Sequence, residues 1–334
     1  MAIVVSKKSN LNDDLWNEWS DQVVAVLQDT DTEKNNADDF VNSVFNVKKS
    51  NKFGEKVTSI TEFSDFDIVD EGDPAVLDDI QEGFAKLIQH SAFMKKFILT
   101  AEMAEDSQVD LMRAKAVNFV NSYKRSRAQF ASNMLTSAAA TFSYGGKSNL
   151  DSTTGDTKAI FAIDHPAKKS GVPVQSNVFT NAFGTDAQML NRLAVIGRNF
   201  KNSSGIAMGY TFDTIIIPSN CYALEDTIKK IIKTDLMVGS NLNDTNTQKG
   251  LWKLIVDPFW QAKEGEEPYI LMSSAANKEL LGNVFYDRIP LTIKDDVDID
   301  THNYVWSGRA RFSAGCSTWA HMILGGASEG TTLV

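Results

Sequence analysis

From Asp106 to about Ala139 the apolar residues Val109, Met112, Ala116, Phe119, Val120, Tyr123, Phe130, Met134 and Leu135 recur with a 3.6-residue period. That run predicts one long helix. Asp106 or Ser107 stands where a cap belongs, and Glu105 and Asp106 suit the positive end of the helix dipole. At 1.5 Å per residue, roughly 32 residues make a rod of about 48 Å. Strand-like sequence lies on both sides of it, so the chain reads as α+β with this helix as its spine. The helix body carries Arg113, Lys115, Lys124, Arg125 and Arg127 against only Asp110. Taken alone, such charges read as a solvated face.

Ahead of the spine, residues 1–55 read as an arm. Leu15, Trp16, Trp19, Val23, Val24 and Leu27 fall at helical spacing. After a polar break comes a second apolar set, Phe40, Val41, Val44 and Phe45. A terminal helix between polar stretches has little of its own to pack against, so its stripe is expected to bury against another subunit. Residues 56–98 read as an extended hairpin. Val57, Ile60, Phe63, Phe66 and Ile68 lie among Thr, Ser and Asp, and the return limb runs from Phe84 to Leu99. The tip is acidic, with Asp67, Asp70, Glu71, Asp73, Asp78 and Asp79 around Gly72 and Pro74. A hairpin this long with a polar tip is expected to project from its domain.

Beyond the spine the chain reads as loop as far as Thr157, then alternates strands and helices. Thr185 with Gln188 forms a capping box for a helix to Phe200. Thr211–Ile217 is a strand whose Ile-Ile-Ile run predicts burial on both faces, ended by Pro218. Ser219 is expected to cap the helix that carries Leu224, Ile228, Ile231 and Ile232. Further strands are predicted at Leu251–Val256, at Tyr269–Met272 and through 289–324, where Asp300, Thr301, His302 and Asn303 form a turn between two long strands.

Signs of catalytic or metal chemistry are weak. Gly145-Gly146-Lys147-Ser148 matches the end of a phosphate-binding loop, but Thr141 stands where that motif needs its first glycine. Asp296, Asp298 and Asp300 alternate like the start of a calcium loop, yet Thr301 replaces the glycine and Ser307 the closing glutamate. His90, His165, His302 and His321 are scattered and sit at no metal-ligand spacing. Asp164-His165 is a conceivable acid-base pair, but no serine lies in a G-x-S-x-G elbow, so the structural reading is preferred. Cys221 and Cys316 form no C-x-x-C and read as buried apolar side chains in a reducing compartment. No cofactor and no metal is expected. A formal net charge of −10 argues against a protein whose main task is gripping DNA phosphates. It is compatible with a wall that lets enclosed DNA slide. The apolar run at the N-terminus is too short for a signal peptide, and no run approaches the ~18 residues of a membrane span.

The segment Ile160–Asn177, IFAIDHPAKKSGVPVQSN, places Phe-x-x-x-His-Pro before a polar stretch with Gly171 and a closing Gln-Ser-Asn. With the order of arm, hairpin, spine helix, mixed α/β region and late long strands, and with Arg309-x-Arg311-Phe312, it resembles the major capsid proteins of tailed bacteriophages over nearly the whole chain. The nearest likeness is to the phage Mu-like branch. The resemblance implies a non-enzymatic shell subunit that assembles with itself into the hexamers and pentamers of an icosahedral head around double-stranded DNA. It implies portal, scaffolding and decoration proteins as partners, assembly in the host cytoplasm and a place in the virion. It also implies a division into arm (1–55), extended loop (56–98), peripheral domain (99–150 and 286–312) and axial domain (151–285 and 313–334). The hairpin tip would then cross the neighbouring subunit's basic spine helix, and Asp300–Asn303 would meet neighbours at threefold positions. Some members bond a lysine of the extended loop to an asparagine near that position. Asn303 stands in place here, but the stretch Asp67–Asp79 holds no lysine, so such a bond is not expected. An encapsulin-like compartment shell is the alternative, and a soluble α/β enzyme a distant third.

Overall fold

The computed structural model describes residues 4–6, 23–29, 36–60, 66, 68–72, 74, 77, 82–106, 109–137, 139–183, 188–202, 205–237, 244–330 and 332. In chain order the first elements are β1 (Val4–Ser6), α1 (Asn36–Val44), β2 (Asn46–Lys49), β3 (Gly54–Ile60), β4 (Glu82–Gln89) and β5 (Ser91–Leu99). A short helix α2 (Ala101–Glu105) leads to the spine helix α3 (Val109–Leu135). Next come β6 (Thr141–Tyr144), β7 (Lys147–Asp151), α4 (Gln188–Arg198), β8 (Thr214–Pro218), α5 (Tyr222–Lys233) and β9 (Lys253–Asp257). The chain closes with β10 (Tyr269–Met272), α6 (Ser274–Glu279), β11 (Asn283–Val297), β12 (Tyr304–Cys316) and β13 (Met322–Gly325).

A five-stranded sheet runs in the order β1-β11-β12-β5, with β2 also paired to β11. Its backbone is the antiparallel pair of the two longest strands, interrupted by register shifts between Asp287, Ile289 and Thr292. Pro290 lies within that interruption, where a strand tolerates the loss of a donor. The 27-residue spine, about 40 Å long, crosses one face of this sheet. Met112, Ala116, Val120, Ala128, Ala131 and Met134 are buried in one cluster with Trp306, Phe285 and Phe312. The close approach depends on Gly308, because a Cβ there would stand 2.5 Å from the Phe119 ring and 3.1 Å from Leu291. At the other end of the contact Phe93 stacks on Phe312 at 3.9 Å, and Phe130 meets both edge-on.

The second sheet, in the order β13-β10-β8-β9, divides two cores. Ile216, Ile270 and Met272 face the spine-side cluster, while Ile215, Ile217 and Leu271 face the helices. This is the two-sided burial expected of the Ile-Ile-Ile run. Among the helices, α5 contributes Leu224, Ile228 and Ile231 to that second core.

Several expectations are corrected. The apolar stripes of the arm are buried within the chain, not left for a neighbour. Val23, Leu27, Phe40, Val41, Val44 and Phe45 all join the spine-side core, since α1 lies against α3. Leu15, Trp16 and Trp19 lie outside the described residues. The hairpin's return strand ends at Gln89. Ser91–Leu99 pairs instead with β12 as an edge strand, because its partner lies more than 200 residues away and local alternation does not reveal it. The stretch after the spine is not loop. Gly145 and Gly146, both at positive φ, make a two-residue turn joining β6 to β7. Ser219 caps nothing, since its N–H and hydroxyl both donate to the Trp260 carbonyl while α5 starts after Cys221. At the start of the spine, Asp106 closes α2 by donating to the Glu102 carbonyl, and Ser107 lies outside the described residues. The Thr185–Gln188 capping box likewise falls there in part.

Candidate functional site

The segment Ile160–Asn177 folds around its own histidine. His165 and Gln175 exchange backbone hydrogen bonds of 2.9 and 3.0 Å across a reversal that contains Gly171 at φ 89°. Asn177 closes the loop from inside. Its side chain donates to the Ile160 carbonyl at 2.9 Å and accepts from the Ala162 N–H at 3.0 Å, which fixes which end is oxygen. That oxygen faces His165 Nε2 at 3.3 Å, while Nδ1 lies 2.7 Å from the Asp156 carboxylate. The imidazole stacks on Trp319 with ring centres 4.6 Å apart.

The partner of His165 is therefore Asp156, not the adjacent Asp164, which pairs with Lys158. Burial alone would push the Asp156 carboxyl up. The hydrogen bond from His165, with those from Thr154 and the Lys158 backbone, outweighs it and holds the group below the usual carboxylate range. Both side chains are sealed from solvent, at 0% and 1% exposure. Each ring nitrogen faces an oxygen acceptor, and among the described residues no serine or cysteine is bonded to the ring. Such a pair can hold two stretches of chain together but cannot deliver a proton to a substrate. His165→Phe should keep the stack on Trp319 and leave the Asp156 Oδ2 that faced the imidazole without that partner, while Asn177 keeps its bond from the Ala162 N–H. It is expected to cost on the order of 1–3 kcal/mol in urea unfolding, whereas Asp164→Asn should cost less than 0.5 kcal/mol.

Of the acidic tip, Asp70 and Glu71 are described and exposed; Asp67, Asp73, Asp78 and Asp79 lie outside the described residues. Phe66, Ile68 and Leu77 beside them are almost fully exposed, at 104%, 102% and 94%. The base of the hairpin is held firmly. Lys86 reaches Asp151 at 2.5 Å and Thr153 at 2.7 Å, and Lys168 lies 5.4 Å from the centre of the Phe84 ring. Hydrogen bonds from Lys86 and Thr153 hold the Asp151 carboxyl below its ordinary range against the opposing effect of burial.

The basic set on the spine divides in two. Arg113 and Arg125 are exposed. Lys115 is half-buried and donates to the Ile98 carbonyl at 3.1 Å. Lys124 is buried, at 2% exposure, and Arg127 pairs with the buried Asp287 at 2.8 Å beneath the Phe285 ring. Within the subunit, Lys124 is thus a buried side chain and Arg127 is turned toward its own sheet, while Arg113 and Arg125 stay exposed. The late turn forms as the sequence predicts. Asp300, Thr301 and His302 are exposed, His302 takes φ 55°, and the Asp298 carboxylate accepts from the Asp300 N–H and the Thr301 hydroxyl. Asn303 turns inward, its side-chain oxygen accepting from the Ala101 N–H at 3.2 Å.

Sequence reading missed Asp156, Trp319 and Lys86. Their partners come from separate stretches of chain and carry no local spacing signal. Among the described residues no helix is long and apolar enough to cross a membrane.

No protein-family model and no curated protein sequence matches the chain. Solved structures do. The capsid of a native GTA particle aligns with a TM-score of 0.57 at 11% identity, covering 88% of this chain and 91% of that one. A chain of Mycobacterium phage Patience aligns at 0.52 and 12% identity, covering 99% and 94%. One of Gordonia phage Cozz aligns at 0.51 and 11%, covering 87% of each. At such identities the likeness establishes the fold alone, a mixed α+β architecture shared with the capsid chain of the GTA particle.

Proposed function

We propose that this chain is the major capsid protein of a tailed phage. Many copies close as hexamers and pentamers into an icosahedral head around double-stranded DNA, and the subunit catalyses no reaction. The observation that carries this reading is the capsid fold shared along 88% of the chain. Assignment to the Mu-like branch rests on the Ile160–Asn177 segment alone. In this reading the spine helix and the five-stranded sheet form the peripheral domain, and the four-stranded sheet with its helices forms the axial domain. The β3–β4 hairpin is the extended loop, and the Asp300–Asn303 turn meets neighbours at threefold positions. Portal and scaffolding proteins are the partners such a head requires, with decoration proteins a further class.

The hairpin fits the same reading. A tip carrying Asp70 and Glu71 beside bare Phe66 and Ile68 is built to be covered by something. In the assembled shell that cover is a neighbour's spine side, where Arg113 and Arg125 offer positive charge. Opposite charges steer docking and fix register more than they add affinity. Each exposed pair contributes about 0.2–1 kcal/mol, a small term multiplied around every ring of subunits. Reversing Asp70, Glu71 and Asp73 to lysine should therefore block particle formation at low salt, and reversing Arg113 and Arg125 in the same chain should partly restore it. Particle yield on a sucrose gradient is the readout. Unchanged yield from the triple reversal would remove the electrostatic contact.

A further inference from the structure

The β3–β4 hairpin is a two-stranded sheet of its own, separate from the five-stranded sheet. Such a hairpin holds little stability by itself, so the ties at its base decide how firmly it is carried. The chain crosses between the two sheets twice. It enters the hairpin through residues 50–53, between β2 and β3, and leaves it through His90, the single residue between β4 and β5. His90 binds both crossings to the larger sheet. Its Nε2 lies 2.9 Å from the Ser50 hydroxyl, and its Nδ1 lies 2.9 Å from the Ser313 hydroxyl on β12. Ser50, His90 and Ser313 are all buried, at 3%, 7% and 2% exposure.

The neighbours fix where the protons of this cluster stand. Ser50 Oγ donates its one hydrogen to the Glu55 carboxylate at 2.7 Å and accepts from the Lys52 N–H at 3.2 Å. Toward His90 it can therefore only accept, so Nε2 carries the ring hydrogen and Nδ1 accepts from the Ser313 hydroxyl. The run Ser313–His90–Ser50–Glu55 is complete only with a neutral ring. A second proton would have to sit on Nδ1, against the Ser313 hydrogen. Burial sets the largest penalty on an imidazolium here, Arg288 on β11 and Arg311 on β12 repel it, and Glu55 on β3 attracts it. Tyr286 of β11 meets the ring edge-on, with centres 6.1 Å apart.

We infer that His90 is an acid-released latch on the hairpin: the neutral ring ties both crossings to the five-stranded sheet, and the protonated ring lets the hairpin swing away from it. Swinging out brings His90 into water, where its affinity for a proton returns to the ordinary 6.5. The open hairpin thus binds a proton that the closed one refuses. Closure is complete above 6.5 and is lost as pH falls from there toward the lowered value of the closed ring. One proton changes the closed-to-open ratio by up to about tenfold per pH unit in that window. The latch belongs to the single subunit and works whether or not copies assemble.

The test is hydrogen exchange of the full-length, unassembled chain, read by mass spectrometry on β3 and β4 and corrected for the pH dependence of the chemical step. Between pH 6.5 and 5.5 the wild-type hairpin is expected to exchange about fivefold faster or more. His90→Gln keeps an amide donor for Ser50 and an acceptor for Ser313 but cannot titrate. Its hairpin should change by less than about twofold over the same range, while β8 and β10 respond to acid alike in both proteins. Equal acceleration of the hairpin in the two proteins, or none in the wild type, would overturn the inference. Ser50→Ala is the second variant, since it removes one hydroxyl from the run and leaves the ring in place. With that hydrogen bond lost, its hairpin should exchange about tenfold faster than wild type already at pH 7.5. A wild-type rate there would show that the ring holds nothing shut, and would equally overturn the inference.

Discussion

Arg127→Ala is expected to destabilise the subunit by about 3–5 kcal/mol, because it removes one side of the buried ion pair between Arg127 and Asp287. Arg127 crosses from the spine helix to β11, and its guanidinium lies 2.8 Å from Asp287 and 5.0 Å from the centre of the Phe285 ring. The two side chains keep only 11% and 4% of their exposure, so water cannot take over either role. The loss is therefore mostly the penalty of breaking a buried ion pair from one side, not the net worth of the pair. A paired replacement by apolar side chains, Arg127→Met with Asp287→Leu, should recover most of it. Urea unfolding of the isolated subunit measures both. If Arg127→Ala costs less than 1 kcal/mol, the spine is held to the sheet by apolar packing alone.

Acid should weaken the fold well above the range where carboxylates titrate. His321 is fully buried against Gly282, and burial pushes its imidazole down to about 3, the Thr318 backbone opposing this without reversing it. His90 is lowered as well, by burial first and then by repulsion from Arg288 and Arg311. The sign follows from proton uptake. Below the ordinary histidine value of 6.5 the unfolded chain binds a proton that the folded chain refuses. The stability is complete above that value and is lost as pH falls from 6.5 toward about 3. His321 alone sets a slope of about 1.4 kcal/mol per pH unit in that window. Unfolding midpoints at pH 7.0, 5.5 and 4.5 should fall steeply in the wild type and by less in His321→Phe, which keeps a ring in the slot but cannot titrate. Equal slopes would mean that the buried ring takes its proton while folded.

What the sequence showed and what it hid divide along the range of the interactions. The spine helix, the Ile215–Ile217 strand, the Tyr269–Met272 strand and the Asp300–Asn303 turn are set by residues within a few positions of one another, and each was legible. The Gly145-Gly146 turn had a local signal that was read only as part of a phosphate loop and set aside. Strand β5 was different. Its alternation reads equally well as a longer hairpin limb, and only pairing with Tyr304–Phe312 assigns it to the five-stranded sheet. The arm misled for the same reason. Its apolar stripe gave the periodicity correctly, but the surface that covers it is this chain's own spine-side core. In the candidate site the histidine and the asparagine of Ile160–Asn177 were visible in sequence as a motif, yet their purpose was not. Asp156 and Trp319 approach from outside the segment, and they make His165, already read as structural, a sealed tie between loops. The basic stripe on the spine shows the limit most clearly, since Arg125 and Arg127 are two residues apart and serve opposite sides of the helix.

The central claim is that this subunit exists to close a shell, and electron microscopy of the purified full-length protein tests it most directly. Concentrated protein, with scaffold supplied, should give closed particles of uniform diameter whose surface resolves into hexamers and pentamers, with the β3–β4 hairpin of each subunit lying over its neighbour. A homogeneous field of monomers or dimers under the same conditions would contradict the account.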